Sequence, residues 1–92
     1  MAYSRIVNVE YKSEKDMELF LSKWEDWMAK HMPVAISRPM VKTGPSPSLL
    51  MAAYASSQIA ENAREVVEVF FNENRDHMLD VIAFHGEVIE FG

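Results

Sequence analysis

The sequence predicts an α+β fold in which two helices cover one face of a four-stranded antiparallel sheet. Four segments have the composition of strands, and in two others apolar residues recur every three or four positions, as in helices. The segments follow in the order β-α-β-β-α-β, which two helices on one face of such a sheet satisfy. Because 92 residues suffice for one small domain and not for two, residues 1–92 are expected to form a single domain.

The spacing of apolar residues changes between the first strand and the first helix. Residues 3–12 are rich in β-branched and aromatic side chains, and alternate positions share a face: Arg5, Val7, Val9 and Tyr11. Residues 13–32 change to helical spacing, with Ser13 as the N-cap and Asp16 at the third helical position. Pro33 cannot continue the helix, which is therefore expected to end before it.

The next two strands are predicted to form a hairpin. Residues 34–43 include Pro39, which has no N–H to donate, so this strand is expected at a sheet edge or with a bulge. Residues 44–48, with the sequence GPSPS, are the densest turn signal in the chain. The third strand, residues 49–55, is apolar on both faces.

The second half of the chain predicts a second helix and a fourth strand. The helix is expected over residues 57–79, with Ser57 as the N-cap. Asn72 and Asn74 weaken its last turns, so an early end or a bend is expected there. Residues 80–92 are the fourth strand. The buried stripe predicted for the helix consists of Ile59, Ala63, Val66, Val67, Phe70 and Met78.

The sheet is predicted to be apolar on the face that the helices do not cover. Both the third and the fourth strand carry apolar side chains at consecutive positions, and therefore on both faces. A sheet of this kind has to bury both faces, and a second copy of the chain is the simplest cover. The sequence therefore predicts a homodimer, with Met51 or Ala53 facing the partner.

In element order and sheet character, nearly the whole chain resembles the dimeric α+β barrel family, whose subunits are ferredoxin-like. This family includes cofactor-independent monooxygenases of antibiotic biosynthesis, haem-degrading enzymes and many members without an assigned function. The resemblance implies a dimer and a pocket in each subunit between the sheet and its helices. ACT-like regulatory domains have the same element order and are a competing relative.

Composition and charge exclude several function classes. The chain has no cysteine, so disulfides and thiolate chemistry are excluded, and a cytoplasmic location is expected. The net charge is −5 and the basic residues are scattered, which disfavours nucleic acid as a partner. No apolar stretch is long enough to span a bilayer, so no membrane partner is expected. His31, His77 and His85 lack metal-ligand spacing, so neither a metal nor a cofactor is predicted.

Two polar residues on predicted strands are candidates for ligand contact. His85 would be a base or a hydrogen-bond donor if it faced a pocket. The preferred interpretation is a partly buried, non-catalytic histidine with a backbone, water or partner-chain contact. Asn8 interrupts an apolar strand, and if it faces the helices it is a buried amide that a ligand could satisfy.

Aromatic residues supply the remaining candidates for a pocket. Trp24, Trp27 and His31 share one face of the first helix and could form an aromatic wall, although most such stripes are core. The Tyr54 hydroxyl could reach a carbonyl or carboxylate. No catalytic residue is assigned, and the candidate ligand-binding residues are Asn8, Trp24, Trp27, His31, Tyr54, Phe70 and His85.

The expected function is the binding of a small, mostly apolar molecule between sheet and helices. The first alternative is a cofactor-independent monooxygenase-like enzyme in which His85, Asn8 or His31 polarises the substrate. The second is a structural or regulatory dimer with no open pocket.

Overall fold

The computed structural model describes residues 1–91 and has the predicted architecture. The strands form one antiparallel sheet in the order β2-β3-β1-β4. Gly92, the last residue of the predicted fourth strand, lies outside the described residues. The elements in chain order are β1 (Tyr3–Tyr11), α1 (Glu14–His31), β2 (Met40–Lys42), β3 (Pro47–Tyr54), α2 (Ser57–Glu73), a short 3₁₀ turn (Arg75–His77) and β4 (Met78–Glu87).

Serine side chains cap both helices. The Ser13 hydroxyl accepts a hydrogen bond from the backbone N–H of Asp16 at 3.0 Å and donates one to the Asp16 carboxylate at 2.8 Å, as the sequence predicted. The predicted cap of α2 was wrong by one residue. Ser56 has the extended backbone of an N-cap and accepts from the N–H of Ile59, whereas Ser57 is the first helical residue.

Helix α2 ends earlier than residue 79, as its asparagines indicated. The buried side-chain amide of Asn74 donates to the Phe70 carbonyl at 2.9 Å and closes the last turn. The helix therefore ends at Glu73, and the chain continues through the 3₁₀ turn into β4. Met78 is buried as predicted, although it belongs to β4, where it pairs with Tyr11, and not to the helix.

The strand boundaries differ from the predicted ones mainly around Pro39. Strand β2 has three residues and lies at the sheet edge, because Pro39 offers only its carbonyl, which accepts from the N–H of Met51. Further upstream, Ser37 forms an isolated bridge with Ala53. Strands β3 and β4 each begin two residues earlier than predicted, and β4 ends at Glu87.

The core lies between the helices and one face of the sheet. Phe20 of α1 is fully buried and contacts Tyr11 of β1 and Phe70 of α2 edge-on or tilted. The buried stripe of α2 also includes two residues that the sequence pattern missed, Ala60 and Phe71. The predicted stripe residues Ile59 and Val66 are only half-buried.

The other face of the sheet is apolar and uncovered. In the β1–β3 and β1–β4 registers Ile6 lies opposite both Met51 and Phe84, so these three side chains form a row on this face. The Phe84 side chain is 62% exposed. The exposed apolar residues of this surface, which we call the open face, are Ile6, Val41, Met51, Ile82 and Phe84.

Candidate functional site

The candidate site is a cleft between α2 and the edge strand β4. Helix α2 packs mainly over β1 and β3, so the helix-side face of β4 is left partly open. Two cavities occupy this cleft. The first, which we call the apolar cavity, has a volume of about 150 Å³. Its apolar lining residues are Val7, Val67, Phe71, Val81 and Ala83, and the polar side chains of Arg5, Glu68, Asn72 and Arg75 complete the lining.

The second cavity, which we call the polar cavity, lies toward the beginning of α2. Its volume is about 260 Å³, and it is lined mainly by polar side chains, among them Tyr3, Arg5, Ser57, Gln58, Glu61 and His85. Arg5 lines both cavities. The cleft therefore offers an apolar part and a polar part on either side of one arginine.

The register of β1 against β4 brings these residues together. Val7 lies opposite Ala83, and Arg5 lies opposite His85. Directly opposed residues of an antiparallel pair point to the same face of the sheet. Because Val7 belongs to the buried helix-side core, all four side chains lie on the helix side.

Tyr3 holds the ring of His85 at the mouth of the polar cavity. The tyrosine hydroxyl is 2.8 Å from Nδ1 of His85, and the two rings stack with centroids 5.9 Å apart. This bond leaves Nε2 available to a ligand. The predicted partial burial of His85 was wrong, since the residue is exposed in this chain. Its contact within the chain is the Tyr3 hydroxyl, and the predicted backbone, water or partner-chain contact stays a prediction.

Arg5 is the charged centre of the cleft. Partial burial lowers the pKa of its guanidinium, and the nearby positive charge of Arg64 lowers it further. Within residues 1–91 no carboxylate forms an ion pair with Arg5. The charges of Glu61 and Glu68 on α2 act in the opposite direction on the Arg5 pKa, although both glutamates are ion-paired with Arg64.

Of the seven residues predicted to line one pocket, only His85 lines this cleft. Asn8 points to the open face, where it lies opposite Leu49 and Ile82. Its position in β1 differs from those of Val7 and Val9 by one residue, which reverses its direction in a strand. The sequence did not decide which face of the sheet Asn8 occupies, and the strand register places it on the open face.

The helix residues of the predicted pocket lie in two other places. Trp24 and Phe70 are packed in the core, with 4% and 3% of their surface exposed. Trp27 and His31 line a shallow groove on the outer side of the two helices, together with charged residues and with Phe70, so three of the predicted pocket residues share this groove. Tyr54 is buried beside the small residues of α2, with the guanidinium of Arg38 over its ring.

Sequence reasoning missed Tyr3 and Arg5 as candidates. Both carry groups that bind ligands, a phenol and a guanidinium, and both lie on the face of β1 that also carries Val7. Alternation alone would have placed them on the helix side. Their proximity to His85 depends on the β1–β4 register, which the sequence pattern did not specify.

Within residues 1–91 no group of three or more His, Asp or Glu side chains is placed to hold a metal ion. His77 is occupied by a bond to the Asp16 carboxylate at 2.8 Å. Neither helix in the described part of the chain is both long and apolar enough to cross a bilayer.

The fold is similar to those of several solved structures. A protein of unknown function from Nitrosomonas europaea superimposes with a TM-score of 0.83 at 16% identity, over 99% of this chain and 92% of that one. A dimeric ferredoxin-like protein from an uncultured marine organism has a TM-score of 0.74 at 13% identity, over 97% and 96% of the two chains. The cofactor-independent oxygenase SnoaB from Streptomyces nogalater has a TM-score of 0.72 at 6% identity, over 97% and 94%.

The comparisons establish the fold, which is ferredoxin-like, as the sequence predicted. No family model and no curated protein sequence matches this chain. At the identities found among solved structures, similarity of fold does not carry the activity of one protein over to another.

Proposed function

We propose that this chain forms a homodimer through the open face and binds a small, mostly apolar molecule in the cleft between β4 and α2. The observation that carries the binding proposal is the apolar cavity, lined by five apolar side chains between sheet and helix. Ligand sites of this kind are concave and mostly apolar, with a few polar groups that orient the ligand. The polar cavity next to it supplies such groups.

Dimerisation is supported by the open face. Its five exposed apolar residues lie on neighbouring strands, and a contiguous exposed apolar surface is typical of an interface. Two proteins of similar fold are described as dimeric. In this proposal residues 1–92 are a single domain, and the second copy covers the face of the sheet that the helices leave open.

The cellular location and the absence of a nucleic-acid partner, both expected from the sequence, are also part of the proposal. The absence of cysteine favours a cytoplasmic location. The net charge of −5 argues against nucleic acid as a partner.

Filling the apolar cavity tests the binding proposal. Ala83 is exposed and lines the cavity, so Ala83→Trp should fill it without disturbing the core. NMR titration with 4-propylbenzamide, a neutral apolar probe, should shift amide signals of the cavity residues in the wild type. These shifts should be lost in Ala83→Trp and kept in Leu19→Trp, which adds the same side chain at an exposed position of α1. Shifts that persist unchanged in Ala83→Trp would contradict the proposed site.

A second candidate function, an oxygenase-like enzyme, is favoured by the Tyr3–His85 pair. A histidine ring held in one orientation beside a cavity is suited to take or donate a proton. Asn8 and His31, the other residues considered for this role, lie outside the cleft. Dioxygen uptake with 1,5-dihydroxynaphthalene should then exceed that of buffer, fall to the buffer rate in His85→Ala and persist in His31→Ala. Uptake at the buffer rate in the wild type would count against this candidate.

A further inference from the structure

Arg5 is a cation without a carboxylate partner in the middle of the cleft. It lines both cavities, and it is half-buried under α2. Removing a guanidinium partly from water is costly unless a hydrogen-bonding or charged partner compensates it. Within residues 1–91 no carboxylate lies within ion-pair distance of Arg5, and Glu61 and Glu68, whose charges act on it from further away, pair with Arg64.

The groups around Arg5 also favour an anion. His85 lies directly opposite Arg5 in the β1–β4 register, and its Nε2 is left available by the bond from Nδ1 to Tyr3. The first residues of α2, Ser57 and Gln58, line the same cavity, where the positive end of the helix dipole adds to the potential. Glu61 also lines this cavity and Glu68 lines the apolar one, and both pair with the single positive charge of Arg64. Arg75 also lines the apolar cavity, so Arg5, Arg64 and Arg75 together leave one positive charge beyond the two glutamates.

We infer that the ligand carries a carboxylate, which pairs with the Arg5 guanidinium while the apolar body of the ligand occupies the apolar cavity. This inference rests on the proposed function and names its ligand class, an apolar carboxylic acid. The planar fork of an arginine binds a carboxylate through two parallel N–H···O bonds. On the other side of Arg5, the His85 ring can donate to the same carboxylate or to a second oxygen of the ligand.

Two probes with the same apolar body test the inference. 4-Propylbenzoate and 4-propylbenzamide differ in the charged group, and NMR titration of the full chain at neutral pH gives the dissociation constant of each. The benzoate should bind at least about tenfold more tightly, the ratio that one charge-assisted hydrogen bond typically supplies. It should also shift the ring signals of His85.

Variants of Arg5 separate its role from general charge effects. In Arg5→Gln the two probes should bind equally, with the benzamide affinity of the wild type retained. Lys15→Gln, a matched loss of one positive charge on the exposed side of α1, should keep the preference for the benzoate. If Arg5→Gln does not fold, Arg5→Lys is the alternative variant, because it keeps the positive charge and removes the planar fork. In Arg5→Lys the preference for the benzoate over the benzamide should fall severalfold.

The outcomes distinguish the two proposals. Equal affinities of the wild type for both probes, with shifts at the apolar cavity, would overturn the carboxylate inference and leave the proposed function standing. A preference that survives in Arg5→Gln would also overturn it. Failure of both probes to bind would overturn the proposed function and the inference together.

Discussion

Trp24 shows how a residue that is a candidate for ligand binding can serve packing alone. Its indole contacts Trp27, Phe70 and Phe71, with ring centroids 5.5 to 6.4 Å apart. With 4% of its surface exposed, it lines none of the cavities of the cleft. Its aromatic contacts are therefore made within the fold, to Trp27 of the same helix and to Phe70 and Phe71 of α2.

Trp24→Ala is expected to destabilise the protein by about 3–5 kcal/mol, because it leaves a cavity in a packed core. Urea denaturation at one fixed protein concentration measures this loss. Leu19→Ala, at an exposed position of α1, should change stability by less than about 0.5 kcal/mol. A loss below about 1 kcal/mol for Trp24→Ala would show that the site relaxes around the missing ring.

Asp16 joins the start of α1 to the 3₁₀ turn that precedes β4. Its carboxylate accepts from His77 and from Ser13, and Lys23 lies 3.4 Å from the other ring nitrogen of His77. The hydrogen bond from His77, followed by that from Ser13, lowers the pKa of the Asp16 carboxyl from its ordinary value of 3.8.

This lowered pKa predicts a loss of stability in acid. A carboxyl whose folded pKa lies below its unfolded pKa stabilises the fold above the unfolded value, and the contribution is lost as pH falls from 3.8 through the folded pKa. In Asp16→Asn this part of the pH dependence should be missing, as denaturation from neutral to acid pH will measure. Asp26→Asn, an exposed carboxylate of α1, should behave as the wild type does. An identical acid profile for wild type and Asp16→Asn would contradict the assignment.

At the scale of single elements, the start of α2 separates two neighbouring serines. Ser56 caps the helix with its hydroxyl, whereas the exposed Ser57 is the first helical residue. Both have the residue type of an N-cap, and only the backbone conformation distinguishes them.

The two serine variants should therefore differ. Ser56→Ala is expected to lower the free energy of unfolding by about 0.5–2 kcal/mol, because it leaves the Ile59 N–H without its partner. Ser57→Ala should be near neutral, since alanine is a good helix former and no cap bond is lost. Thermal or urea denaturation of both variants decides the matter. The reverse order of effects would place the cap at Ser57.

At the scale of the whole molecule, the position of the helices decides which parts of the sheet remain exposed. Helices cover one face, and the row formed by Met51, Ile6 and Phe84 lies on the other. The edge strand β4 is covered less by α2 than β1 and β3 are. The incomplete cover of the sheet by the helices therefore supports both the dimer and the ligand site. The uncovered face favours a partner chain, and the partly covered edge strand forms the cleft.

Met51→Glu is the matching test of the proposed dimer. Met51 lies on the open face, whereas Ala53, the alternative predicted contact, is already buried beside the chain segment that bridges to it. A carboxylate at Met51 would be buried without a partner, so the dissociation constant of the dimer should rise by at least about tenfold. Sedimentation at micromolar concentration measures it, and Val69→Glu on the exposed side of α2 should sediment like the wild type. A wild type that sediments as a monomer would refute the dimer.

By itself the sequence determined the order of the elements, the Ser13 cap and the apolar character of both sheet faces, and it limited the strand predicted around Pro39 to an edge position or a bulge. All of these follow from short-range rules. A strand or helix repeats its pattern within a few residues, a cap bonds to a residue three positions away, and proline lacks a donor wherever it stands. The end of α2 was indicated on the same basis, by asparagines within the last turns.

Tertiary structure alone decided which side chains meet. Tyr3 and His85 are 82 positions apart, and Arg5 reaches the same cleft because β1 and β4 pair in one particular register. Shifting that register by one residue would turn His85 and Ala83 to the open face and leave every local pattern unchanged. The physical reason is that alternation fixes the faces of each strand separately, whereas the site depends on the alignment between strands that are distant in sequence.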